Sequence, residues 1–102
     1  MRYLRNMYEV LEVDADKKDV IDDILADDLI SKQNTNVRDG ESLGFKEGVS
    51  YVMVEGSEEA VEKAVRLFKE EGVEPAENRE EVKDKIKEEG EAAAQGIGTV
   101  FG

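Results

Sequence analysis

The chain has 102 residues, enough for one domain with a single modest core. It carries 26 acidic against 14 basic residues, a formal net charge of −12, which argues against a phosphate backbone as a direct ligand. Without Cys or His, thiol nucleophiles, disulfides, the common zinc sites and imidazole acid–base chemistry are excluded.

Residues 3–13, YLRNMYEVLEV, read as the first strand. Met7, Leu11 and Val13 share one face; Tyr8 and Val10 share the other. Its amino-terminal flank has no apolar run after the arginines, so it does not read as a signal peptide. A helix follows, capped by Asp14 or Asp16, with Val20, Ile21, Ile24 and Leu25 as its apolar stripe. Asp27 and Asp28 stand at the carboxyl end of that helix, where the dipole disfavours them. Either the helix stops near Ala26 or the pair meets a cation or basic side chains from elsewhere.

The polar run QNTN and the pair Asp39–Gly40 are turn signals, which places a second strand within Val37–Phe45. Lys46-Glu47-Gly48 closes a hairpin into Val49–Glu55, the clearest strand of the chain. Its longest uninterrupted apolar run, Tyr51–Val54, is far too short to span a bilayer, so no membrane association is expected. Gly56 turns the chain and Ser57 caps a helix that buries Ala60, Val61, Ala64, Val65, Leu67 and Phe68. Gly72 ends that helix, and Val73–Glu77 is a short return strand with Pro75 at an edge. A last helix spans 79–95 with a thin stripe of Val82, Ile86 and Ala93, and a glycine-rich tail covers 96–102.

The expected fold is therefore α+β, a single domain over 1–102. The order β-α-β-β-α-β plus a C-terminal helix is the ferredoxin-like, split-βαβ arrangement with a four-stranded antiparallel sheet. Two helices cover one face. The other face stays open unless the last helix, the tail or a second subunit covers it. Tyr8, Val10, and either Tyr51 with Met53 or Val52 with Val54 would lie on that face; Tyr8, Val10, Tyr51 and Met53, with Ile97, Val100 and Phe101 of the tail, form the expected interface.

No catalytic set emerges. Glu55-Gly56-Ser57 before a helix has the outline of a phosphate cradle, but Glu55, Glu58 and Glu59 crowd it and no P-loop lysine is present. Ser57 has no base, so it is a cap rather than a nucleophile. The segment Glu47–Val54 lies where RNA-recognition domains carry their strand-3 motif. Gly48, Tyr51 and Val52 match it, whereas Glu47 reverses the basic position and Val49 and Val54 replace aromatics. Lys32–Arg38, KQNTNVR, offers mixed donors and acceptors for a small polar ligand.

Two resemblances accompany this reading. The arrangement is similar to ACT-type regulatory domains, which implies dimerisation and amino-acid binding between subunits; the glycine-bearing loop of that family is replaced here by Asp14-Ala15-Asp16. Separately, YVMVEGSEEAVEKAVRLFKEEGV resembles segments of small archaeal proteins, methanogens among them, and that likeness carries no activity. The expectation is a non-enzymatic, cytoplasmic interaction or regulatory module. A protein partner or homodimer would occupy the open sheet face, and no metal or cofactor is involved. The alternatives are a small-ligand sensor and, third, an enzyme working with carboxylates alone.

Overall fold

Val49–Gly56 forms β3, a central strand of a four-stranded antiparallel sheet. The computed structural model describes residues 7–89. Strand β3 lies between β1 (Met7–Asp14) and β2 (Asn34–Asp39), and the two-residue β4 (Glu74–Pro75) pairs with the other side of β1. The chain runs β1, a 3-10 turn over Ala15–Lys17, α1 (Lys18–Leu25), α2 (Asp28–Ser31), β2, β3, α3 (Glu58–Glu70), β4 and a helix α4 over 79–89. The fold class is α+β. β1 and β2 are parallel to each other with β3 inserted between them, and β3 and β4 are parallel with β1 between them.

Both faces of the sheet are covered. On one, Leu11, Val13, Val52 and Val54 pack against Ile21 and Ile24 of α1, Ile30 of α2, and Val61, Ala64 and Phe68 of α3. On the other, Val10, Val49, Tyr51 and Met53 pack against Leu43, Ala76, and Val82 and Ile86 of α4. This double burial explains why β3 reads as a nearly continuous apolar run instead of alternating. Each large side chain so buried contributes about 1.5–3 kcal/mol. Both apolar clusters are needed to offset the entropy of ordering the chain.

Local chemistry sets the helix ends. Ser57 accepts from the Ala60 amide at 3.3 Å, as an N-cap should, and acids fill the first turn of α3. Gly72, at φ +82°, stops α3 in the left-handed region open to glycine. The first helical segment differs from expectation. Neither Asp14 nor Asp16 caps it: the 3-10 turn intervenes and Lys17 precedes α1 without a side-chain cap. Asp27 does not end a helix but starts one. Its Oδ1 accepts from the amides of Leu29 (2.9 Å) and Ile30 (3.2 Å), and its Oδ2 lies 2.8 Å from Lys63 Nζ of α3. The Lys63 ammonium beside it, with those two amides, holds its carboxyl below the usual range. The puzzle of an acid at the wrong helix end is resolved by a new helix and a basic side chain from α3.

The second strand also lies elsewhere. It occupies Asn34–Asp39, not Val37–Phe45, so most of the run read as a turn is strand. An edge strand paired on one side needs no apolar alternation, which is why its polar residues hid it. Residues 40–48 form the connection to β3, with Leu43 buried inside it. Gly40 is obligatory there, because a Cβ would overlap the Lys46 carbonyl. The last helix is seen over 79–89; residues 90–102, like 1–6, lie outside the described residues.

Candidate functional site

The sheet face expected to be open is occupied by α4 and the 40–48 connection, which corrects the expected interface. Val10, Tyr51 and Met53 are core residues, at most 1% exposed. Tyr8 is half-buried beneath α4, its ring 5.3 Å from the Arg79 guanidinium and 4.6 Å from Lys83 Nζ. The physical reason is the thin stripe Val82/Ile86, which finds its partner on this face. A basic stripe supports it at four-residue spacing. Arg79 Nη1 lies 3.1 Å from both carboxylate oxygens of Glu9, and Lys87 Nζ lies 2.8 Å from Glu55 Oε1. Ile97, Val100 and Phe101 lie outside the described residues. Lys32–Arg38 is spread along the end of α2 and an edge strand instead of around a cavity, with Gln33 engaged by the Leu29 carbonyl and the Ser57 amide.

A cleft of about 660 Å³ opens where the 40–48 connection meets the segment that follows α3. That volume is within the range of small-molecule sites. Glu12 of β1 is its central group. Lys46 Nζ lies 2.9 Å from Glu12 Oε2, and the Tyr51 hydroxyl is 3.4 Å from Glu12 Oε1. Phe45 stands edge-on to Tyr51, ring centroids 6.1 Å apart at 79°, and walls the cleft on one side. Glu74, Pro75, Glu77 and Asn78 line the other.

The electrostatics follow from this geometry. Burial pushes the Tyr51 hydroxyl above its ordinary value, and the nearby Glu12 charge pushes it further. The hydrogen bond to Glu12, and then its charge, raise Lys46. Three carboxylates face one ammonium, so the cleft carries net negative charge beside an aromatic wall. Such a surface suits an organic cation with an apolar part.

Sequence reading placed Tyr51 in a binding surface but missed Glu12, Lys46 and Asn78. The signal for Glu12 was present: it shares the strand face of Tyr8 and Val10, an acid on an otherwise apolar face. Nothing local marks Lys46 or Asn78, which reach the cleft through long-range folding. Among the described residues no group of three or more Asp and Glu is arranged to hold a metal ion, and no helix is long and apolar enough to cross a membrane. No family model, curated protein or solved structure matches the chain.

Proposed function

We propose that this chain is a ferredoxin-like, non-enzymatic binding domain that takes a small organic cation in the Glu12–Lys46–Tyr51 cleft. The ferredoxin-like reading is supported by the two interleaved βαβ units, each with a foreign strand between its own two. The binding reading is carried by one observation: Glu12, Lys46 and the Tyr51 hydroxyl converge on a single cleft that also presents Glu74, Glu77 and the Phe45 ring. The pKa shifts favour binding over catalysis. Of the cleft groups, Lys46 and Tyr51 are both raised, so each moves away from neutrality. General acid–base chemistry needs the opposite.

The test is a thermal-shift and NMR screen of primary and quaternary amines, with carboxylic acids as controls. A true ligand at ten times its dissociation constant stabilises the fold by about 1.4 kcal/mol. It should move the amide signals of Glu12, Lys46 and Tyr51, and Glu12→Gln together with Glu77→Gln should weaken it at least tenfold. If no amine raises the melting temperature or moves those signals, the reading is lost.

A further inference from the structure

The two edges of the sheet are closed differently. β4 has two residues, and because the neighbouring Ala76 amide donates to the Val10 carbonyl at 2.7 Å, Pro75 turns its nitrogen outward. The missing N–H blunts that edge, and exposed Glu74 and Glu77 add charge to it. β2 has six residues, no proline and an unbroken register with β3. Among the described residues it has a neighbouring strand on one side only.

The ladder identifies which groups face outward. The Gly40 amide donates to the Val49 carbonyl at 2.9 Å, so in the same register Asn34, Asn36 and Arg38 bond to β3. The N–H and C=O of Thr35, Val37 and Asp39 then point away from the sheet. Val37, at its centre, is 39% exposed and is the exposed large hydrophobic side chain among the described residues. It stands opposite Val52, at the margin of the α1/α3 cluster.

We infer that two copies of this chain pair along β2, antiparallel about Val37, and join their sheets into one of eight strands. A two-fold axis there sets Val37 against its own copy, Thr35 against the partner's Asp39, and Asn36 against the partner's Arg38. Hydrogen-bonded pairs fall on residues 35, 37 and 39, whose groups point outward. Like charges do not face each other in this register. Charge also selects the occupant. Residues 29–38 contain none of the 26 acids, and the pairing strand Asn34–Asp39 balances its one acid, Asp39, with Arg38, so two chains of net charge −12 meet there along a strand with no net charge. Arg38 Nη1 now donates to the outward Val37 carbonyl at 3.1 Å, an exposed contact that the partner's Val37 amide replaces. The pairing is independent of the cleft.

Sedimentation equilibrium between about 10 μM and about 1 mM tests it. The mass should rise from 11.4 kDa towards twice that value, and Val37→Lys and Thr35→Pro should each hold it at 11.4 kDa with an unchanged far-UV spectrum. In parallel, exchange of the Thr35, Val37 and Asp39 amides should slow as concentration rises, whereas Asn36 and Arg38 stay protected throughout. A monomer at every concentration overturns the inference, and so does a dimer that both variants leave intact. Outward amides protected equally at all concentrations would put a segment of the same chain on the edge, which overturns it too.

Discussion

Two tyrosines on one sheet face show how much a single hydroxyl's surroundings matter. Tyr51 aims its hydroxyl at Glu12, while the buried Tyr8 hydroxyl has no hydrogen-bond partner among the described residues. For Tyr51, burial and the Glu12 charge raise the folded pKa above the ordinary 10.0. The unfolded chain then loses this proton first as pH rises. The stabilisation is fully present below about pH 10 and is lost as pH climbs through the raised folded value. Tyr51→Phe should therefore cost about 0.5–1.5 kcal/mol at neutral pH. The gap between wild type and variant should shrink in denaturant melts above about pH 10. A gap that widens there would show that Tyr51 is not held in its neutral form. The sequence marked Tyr51 as a special residue on an apolar strand. It did not reveal that the special environment is a contact with a half-buried carboxylate at the cleft.

At the scale of elements, α4 decides what the sheet can do. Its stripe of Val82 and Ile86 is too thin to hold a helix alone, yet both side chains are buried against Val10, Tyr51 and Met53. Ile86→Ala should cost about 2–5 kcal/mol, within the range of buried aliphatic truncations, and guanidinium melts measure it directly. A cost under about 0.5 kcal/mol, the size of a surface change, would mean that α4 does not close this face. The basic stripe Arg79, Lys83 and Lys87 adds less, because its pairs are partly exposed. That stripe was readable at four-residue spacing, but the acids it meets, Glu9 and Glu55, lie on two different strands.

For the molecule as a whole, charge opposes compactness. A net charge of −12 on one small domain is self-repulsion that salt screens, since the Debye length falls from about 30 Å at 0.01 M to about 3 Å at 1 M. The surface ion pairs lose strength in the same salt, but exposed pairs contribute little each. The melting temperature should accordingly rise between about 10 mM and about 0.5 M sodium chloride. A fall would mean that the ion pairs of α4 and Asp27–Lys63 outweigh the repulsion.

Strands β1 and β3, the Ser57-capped helix and the Gly72 stop follow from local rules of period, capping and backbone freedom, and these were legible in the sequence. So was the α+β class, because hydrophobic period and turn chemistry act within a few residues. Three things were decided only by tertiary structure. Asn34–Asp39 became a strand because β3 offered it a ladder. The free oxygen of the Asp27 cap gained an ammonium partner because α3 brought Lys63 to it, whereas its bonds to the Leu29 and Ile30 amides are local. The face carrying Val10, Tyr51 and Met53 became core because a helix some thirty residues after Tyr51 folded over it. In each case the partner is distant in the chain, and burial is a property of what a residue meets, not of the residue itself.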